Sequence, residues 1–375
     1  MKRTLLILLR VAIAAALLAW VAGRIEWNDR LRVPTATGRT AIDGTLSGDW
    51  RATDWTFLAD DGRSWTPPHA SGLRPEPGFP KILAAIDLDW FALGCASWAL
   101  LVLMTALRWG LLLRAVEVPV AFGRALRLVL VGTFFNNVMF GATGGDLARA
   151  LLVTRGMSEK RWRAALSVGV DRLIGLATLL IIAAVALVLA RYDEHLGQLR
   201  VLKLVSLVVG GLLLGLLVAV SLYLSRPLRE LLTAGGTRQA PTFLQRADEA
   251  LLVYRRHGRT LLSAVAVSLP LQACGIFAFW CFGRALTSPL QLLDTALVFP
   301  SVQAVCAVPV APAGWGIGES LYGWFHARIL GGSEWFTLGV AVSVLFRLTT
   351  QVGFGLVGGA VWLSFRDGKR ARPQS

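Results

Sequence analysis

Residues 164–190 read AALSVGVDRLIGLATLLIIAAVALVLA, an apolar run whose only charged residues are Asp171 and Arg172. A helix needs about 20 mainly apolar residues to cross the hydrocarbon core of a bilayer, and this run is long enough. Five further apolar runs are also long enough to span the membrane: Leu5–Ala22, Trp90–Leu113, Val201–Leu224, Thr260–Phe282 and Phe336–Phe365. The sequence therefore predicts an all-α polytopic membrane protein with six full transmembrane helices.

The composition differs from that of a soluble protein. Of the 375 residues, 55% are hydrophobic and 16% are charged, whereas a soluble domain carries about 25% charged residues. The net charge is +15, but the basic residues lie between the apolar runs, where they set topology and do not indicate nucleic-acid binding. The four cysteines lie inside apolar runs and the four histidines lack ligand spacing, so we predict no disulfide, metal site or cofactor.

Lys and Arg residues predict the orientation of the chain, because they favour cytoplasmic loops. The loops at residues 154–163 and 225–259 and the tail after Phe365 are rich in them, whereas the loops that alternate with these are poor. Both termini are therefore expected on the cytoplasmic side of a bacterial inner membrane. The predicted parts are an N-terminal transmembrane helix, an extracytoplasmic module, a transmembrane domain and a cytoplasmic tail, at residues 1–23, 24–87, 88–366 and 367–375.

Two further apolar stretches, Leu126–Val153 and Leu290–Leu330, are broken by glycines, prolines and polar residues. The predicted orientation makes each stretch begin and end on one side of the membrane, so we expect two opposed re-entrant helical hairpins. Their turns are assigned to Gly141, Gly144, Gly145, Pro309, Pro312, Gly314, Gly316 and Gly318. Non-helical backbone at membrane depth is tolerated only inside protein or beside a water-filled cavity, so the turns imply a polar interior.

A span, a hairpin and another span occur twice, in residues 90–190 and 260–365, with opposite orientations. Interrupted segments at matching places indicate an inverted repeat and a transporter binding site. Residues 24–87 are instead polar and turn-rich, and Asp61-Gly62 after an alternating run is a hairpin signal. We expect a small β-rich insert there, which either caps the membrane part or binds a protein partner.

The first hairpin carries polar residues at membrane depth, namely Asn136, Asn137, Asp146 and Arg149. Asp146 is expected to cap the returning helix, and Arg149 follows one turn later on the same face. A helix N-terminus beside a guanidinium can bind a lipid phosphate. The alternative is an Asp146–Arg149 pair that only allows the chain to turn.

Charged residues also lie within the spans. Asp171 and Arg172 either face a polar pathway or form a structural pair with Arg172 snorkelling to the interface. Glu319, after the second turn, either stabilises a helix N-terminus or carries a proton or cation coupled to transport. Arg347 is expected near mid-membrane, where it costs at least about 2.5–3.5 kcal/mol. It must meet an anion, which is Glu319, Asp146 or a substrate phosphate, and Gln351 should share its face.

Three motifs carry a family resemblance: residues 135–150 (FNNVMFGATGGDLARA), 171–175 (DRLIG) and 308–319 (VPVAPAGWGIGE). They resemble the lysylphosphatidylglycerol synthase transmembrane family, also called flippase-like domain proteins, over roughly Trp90–Phe365. The chain has Phe140-Gly141 where the commonest family form has Pro-Gly. The resemblance implies handling of phospholipids or isoprenoid lipids. Bifunctional members add an aminoacyl-transferase domain, for which the residues after Phe365 are too few.

We therefore expect a flippase-like transporter of an anionic phospholipid or isoprenoid-phosphate lipid. The arginines would neutralise the headgroup in a polar cavity between the hairpins, and the carboxylates would hold the arginines or carry protons. One alternative is a membrane-embedded enzyme with Asp146, Asp171 or Glu319 as general base. Another is a non-catalytic assembly factor that docks through residues 24–87. No catalytic residue is predicted, because no nucleophile with a paired base is found.

Overall fold

The computed structural model describes residues 2–35, 38–50, 54–66, 73–138, 144–155, 161–192, 205–207, 209–215, 218, 254, 257–307 and 314–370. The chain begins with helix α1 (Lys2–Ala22), continues through a sheet, and is then mostly helical. The helices after the sheet are α2 (Phe79–Ala84), α3 (Leu88–Ala115), α4 (Phe122–Val138), α5 (Gly144–Val153), α6 (Arg161–Ala190), α7 (Gly258–Ala285), α8 (Leu292–Cys306), α9 (Ile317–Ile329), α10 (Trp335–Arg347) and α11 (Phe354–Arg370). A π-helical segment, Leu348–Gly353, joins α10 to α11.

Four stretches of the described chain are helices long and apolar enough to cross a membrane: Leu88–Ala115, Trp162–Ala190, Gly258–Ala285 and Trp335–Ser364. They correspond to four of the six predicted spans, so a polytopic membrane protein is confirmed. The spans at Leu5–Ala22 and Val201–Leu224 stay predictions. The first lies within α1, and part of the second lies outside the described residues.

The β-rich insert is a five-stranded antiparallel sheet in the order β4-β3-β2-β1-β5. The strands are β1 (Asp29–Thr35), β2 (Gly38–Asp49), β3 (Asp54–Ala59), β4 (Ser64–Trp65) and β5 (Arg74–Glu76). Alternate residues of β3, namely Trp55, Phe57 and Ala59, are buried against Leu31 and Leu46. The predicted Asp61-Gly62 turn joins β3 to β4, and Gly62 has a φ of 86° that favours glycine.

The sheet is tied to the helical domain. The Glu26 amide donates to Thr337 Oγ1 on α10 at 3.0 Å. Arg32 forms an ion pair with Glu334, in which the Nη2 and Oε2 atoms are 3.5 Å apart. Within the module, both carboxylate oxygens of Asp29 accept hydrogen bonds, from the amides of Leu46 at 2.9 Å and Gly78 at 2.7 Å. These bonds hold the strands over the start of α2, which packs against α10.

Helices α4 and α5 pack backbone to backbone. A Cβ added to Gly145 would lie 2.0 Å from the carbonyl oxygen of Gly132, so no side chain fits there. On its other side, α4 packs equally closely on α11, because a Cβ on Gly358 would lie 2.0 Å from the carbonyl oxygen of Leu130. Small residues at such positions permit the closest helix contacts, and α4 is thereby held between α5 and α11.

Candidate functional site

Five charged side chains from α3, α5 and α6 meet in one connected group. The Arg108 Nε atom lies 2.7 Å from Asp171 Oδ1, and the Arg149 Nη2 atom lies 3.8 Å from Asp171 Oδ2. Asp146 accepts hydrogen bonds from Arg149 at 2.9 Å and from Arg172, whose Nε and Nη2 atoms both donate, at 2.9 and 3.0 Å. We call these five residues the arginine cluster.

The arginine cluster has more positive than negative charge. It contains three guanidinium groups and two carboxylates, which leaves one positive charge in excess when all are ionised. The side chains of Arg108, Arg149 and Asp171 are at most 7% exposed, whereas that of Arg172 is 57% exposed. The four less exposed members balance one another, so the excess charge lies at Arg172, where an anion can bind through charge-assisted hydrogen bonds.

Neutral side chains complete the surroundings of the cluster. Arg149 lies over the Trp109 ring, with its Cζ atom 5.0 Å from the ring centroid. Arg108 donates to Ser268 Oγ on α7 at 2.9 Å, which links the cluster to the second half of the chain. These contacts fix the guanidinium planes of two arginines and leave Arg172 as the accessible one.

The structure corrects the expected roles of the first turn. Asp146 lies within the first turn of α5 and is not its cap, because the helix already includes Gly144 and Gly145. The Gly145 amide donates instead to Asn136 Oδ1 at 2.9 Å. Gly144 and Gly145 are therefore helical and not turn residues. The third assigned position, Gly141, lies outside the described residues.

A second charged group lies between α9 and α10. Arg347 Nε is 2.6 Å from Glu319 Oε1, and both side chains are at most 3% exposed. Arg347 Nη2 also donates to the Gly314 carbonyl at 2.9 Å, and the guanidinium lies over the Trp315 ring at 5.2 Å. The Gly316 amide donates to Glu319 Oε2 at 2.6 Å. Of the three anions expected for Arg347, the structure selects Glu319.

The glycines of the second turn have two separate roles. Gly314 and Gly316 have φ values of 71° and 84°, in the left-handed region that favours glycine, and lie directly before α9. Gly318 lies in α9 and is needed for a different reason, because a Cβ there would lie 2.2 Å from Arg347 Nη2. Pro309 and Pro312 lie outside the described residues.

Asn137 and Gln351 connect the first hairpin stretch to the last span. The Asn137 side-chain amide donates to the Gln351 carbonyl oxygen at 2.5 Å. Gln351 lies in the π-helical segment and contacts α4, whereas Arg347 contacts α9. The two residues therefore do not share one contact face. The structure thus divides the predicted site into the arginine cluster, the Glu319–Arg347 pair and this polar contact. Among the described residues, no ion pair joins the two charged groups.

The sequence reasoning missed Arg108, the residue that anchors Asp171. An arginine inside an apolar run is itself a signal of a polar pathway, and Arg108 lies within Trp90–Leu113. Ser343 was also missed, and its hydroxyl donates to Glu319 Oε1 at 3.4 Å. In the part of the chain that the structure describes, no three His, Cys, Asp or Glu side chains are placed to hold a metal ion.

Comparison with known proteins shows the family of the chain. A UPF0104 membrane protein of Pyrococcus horikoshii is 23% identical over 305 residues, which cover 76% of this chain and 90% of that protein. No solved structure matches the chain significantly. The model of the lysylphosphatidylglycerol synthase TM region matches residues 78–358, which include α3–α10 and both charged groups. The chain therefore belongs to the lysylphosphatidylglycerol synthase transmembrane family.

Proposed function

We propose that the protein moves a lipid with an anionic headgroup, a phospholipid or an isoprenoid phosphate, from one leaflet of the membrane to the other. The observation that carries this proposal is the excess positive charge of the arginine cluster, which has Arg172 as its exposed member. A single phosphate charge would neutralise it. The lipid tails would stay in the bilayer while the headgroup passes through the polar interior.

Arg172 is the residue through which a headgroup would enter. Its Nε and Nη2 atoms donate to Asp146, while its side chain as a whole is 57% exposed. Arginine binds phosphate in the same forked geometry that it uses for carboxylate. A phosphate could therefore bind at Arg172 and then share Arg149 behind it.

The lengths of the hairpin helices support re-entrant stretches. At about 1.5 Å per residue, the 17 residues of α4 span roughly 25 Å and the 10 residues of α5 roughly 15 Å. The 15 residues of α8 and the 13 of α9 span roughly 22 and 20 Å. All are shorter than a hydrocarbon core of about 30 Å. With the basic loops in the cytoplasm, α4 and α5 would enter from the inside and α8 and α9 from the outside.

The contacts of the sheet support a capping role for residues 24–87. Its bonds to Thr337 and Glu334 place it on the end of α10 at which that span begins. In the proposed orientation this end is extracytoplasmic. The module would therefore cover the outer opening, and capture of a protein partner is the alternative role.

Lipid exchange in proteoliposomes tests the proposal. Phosphatidylglycerol with a fluorescent NBD acyl chain is placed in both leaflets, and albumin extracts only the outer pool. We expect exchange above that of protein-free vesicles, and slower exchange for zwitterionic NBD-phosphatidylcholine. Arg172→Gln should slow phosphatidylglycerol exchange at least about tenfold, since charge-assisted hydrogen bonds contribute about 1.5–3 kcal/mol.

Arg163→Gln is the matched control, because Arg163 lies on the same helix and pairs with the exposed Glu117. Its exchange rate should stay within twofold of that of the unaltered protein. Equal exchange with and without the unaltered protein would exclude transport of these lipids. A new lipid product in the same vesicles would instead support the membrane-embedded enzyme.

A further inference from the structure

The two halves of the chain share an unusual turn. Arg114-Ala-Val-Glu-Val-Pro119 ends α3, and Arg284-Ala-Leu-Thr-Ser-Pro289 ends α7. The Val118 amide donates to the Leu113 carbonyl oxygen at 2.9 Å, and the Ser288 amide donates to the Gly283 carbonyl oxygen at 2.8 Å. The fourth residues, Glu117 and Thr287, have φ values of 59° and 61°, and they are the two non-glycine residues with positive φ in the described chain. Such a shared strained position supports an inverted repeat.

The charged groups occupy matching places in this repeat. Asp146 lies in the first turn of α5 and Glu319 in the first turn of α9, the second helices of the two hairpin stretches. Each carboxylate pairs with an arginine of the span that follows, Arg172 in the first half and Arg347 in the second. The packing matches as well, because α4 contacts α11 and α8 contacts α6.

The two pairs differ in access and in charge. Arg172 is open and belongs to a cluster with an excess positive charge, whereas Glu319 and Arg347 are buried and balance one another. Trp315 covers the Arg347 guanidinium. Helix α1 lies against the same turn, since a Cβ on Gly316 would be 2.5 Å from the Cβ of Leu17. The second pair is therefore closed while the first is open.

A tyrosine hydroxyl supplies an independent sign of a ligand at the closed pair. Tyr322 lies one turn after Glu319, is 1% exposed and stacks on Phe279 at 4.4 Å. Its hydroxyl is buried without a hydrogen-bond partner among the described residues. Leaving such a group unpaired costs about 1–3 kcal/mol. An anionic oxygen bound at Arg347 would accept a hydrogen bond from this hydroxyl.

We infer that Glu319 and Arg347 form a second headgroup site, closed in this structure, which takes up an anionic headgroup only when Glu319 is protonated. The inference rests on the proposed transport function. A proton from water binds the Glu319 carboxylate and makes it neutral, so Arg347 loses the negative charge that balances it and binds the headgroup phosphate. The site then has the same single positive charge as the arginine cluster. When the lipid leaves, the proton leaves with it and the pair re-forms.

The groups around Glu319 identify it as the proton acceptor of this site. Arg347 pairs with it from α10, Cys306 on α8 lies 3.9 Å from the Arg347 guanidinium, and Tyr322 follows one turn later on its own helix. Residues 12–22 of α1, the part of that helix whose side chains are described, contain no titratable group. A guanidinium stays protonated at all working pH values. Of these groups, Glu319 is the one whose protonation releases the arginine.

The test follows NBD-phosphatidylglycerol exchange in proteoliposomes between pH 5 and 8. Exchange by the unaltered protein should fall as the pH rises, by up to about tenfold per pH unit for a step that requires one bound proton. Glu319→Gln mimics the protonated acid and should exchange at a rate that no longer depends on pH. Asp146→Asn is the matched control in the other half and should retain the pH dependence.

Tyr322→Phe tests the site with little risk to folding, because the hydroxyl has no described partner to lose. It should slow exchange several-fold while thermal stability stays equal or rises. If exchange occurs but Glu319→Gln keeps the pH profile of the unaltered protein, the protonated site is refuted and transport stands. If Tyr322→Phe exchanges at the unaltered rate, the ligand assignment of that hydroxyl is wrong. If the unaltered protein gives no exchange, both proposals are refuted.

Discussion

Replacing Asp171 by leucine tests the charge arrangement of the arginine cluster. Its carboxylate is 3% exposed and lies 2.7 Å from Arg108 and 3.8 Å from Arg149. Removing one partner of a buried ion pair costs about 3–5 kcal/mol, because the remaining charge is buried without compensation. At roughly 2 °C per kcal/mol for a large chain, the Tm should fall by about 6–10 °C. Thermal denaturation in detergent micelles, followed by circular dichroism, measures this.

The double variant Arg108→Leu/Asp171→Leu provides the matched comparison. It removes both partners of the pair, a change that is often neutral or stabilising. Asp146, Arg149 and Arg172 remain, so the excess positive charge is unchanged. The Tm and the phosphatidylglycerol exchange rate should therefore both return toward those of the unaltered protein. A double variant as unstable as Asp171→Leu alone would refute the ion-pair reasoning.

Two further predictions concern other positions. Gly318→Ala should displace the guanidinium of Arg347 and lower the free energy of unfolding by about 1–3 kcal/mol, whereas Gly110→Ala, with open space at its Cβ, should leave the Tm unchanged or slightly raised. In the sheet module, burial raises the pKa of the Glu76 carboxyl above its usual value, against the opposing effect of Arg32. A raised pKa in the folded state means that stability is lost as pH rises through that pKa. Glu76→Gln should remove this loss of stability. The Tm of each protein is measured from pH 4 to 7, and an equal change of Tm with pH in the two proteins would contradict the prediction.

The spans and the sheet could be predicted because their signals are local. An apolar run of spanning length and a β alternation are properties of neighbouring residues, and Ala164–Ala190 and Trp55–Ala59 show them clearly. The burial of charged side chains within the protein was also foreseeable, since Asp171 and Arg347 have no favourable place in lipid. The sequence alone therefore identified most of the charged residues of both groups.

The pairing of those residues could not be predicted, because it depends on how distant helices pack. Arg347 had three candidate anions. It pairs with Glu319 because α9 packs closely on α10, with Gly318 against the Arg347 guanidinium. The role of Asn136 as the acceptor for the Gly145 amide likewise requires α4 and α5 to be in contact. The π-helical segment, which directs Gln351 toward α4, has no simple sequence signal.

The close packing of α4 has a mechanical consequence. Gly132 and Leu130 present their backbone carbonyls directly to α5 and α11, with no layer of side chains between the helices. Side chains can repack when helices slide, but a backbone pressed against another backbone has nothing to rearrange. Helices α4, α5 and α11 therefore form one rigid unit. A displacement of α4 would therefore move α5, and Asp146 with it, as one rigid unit.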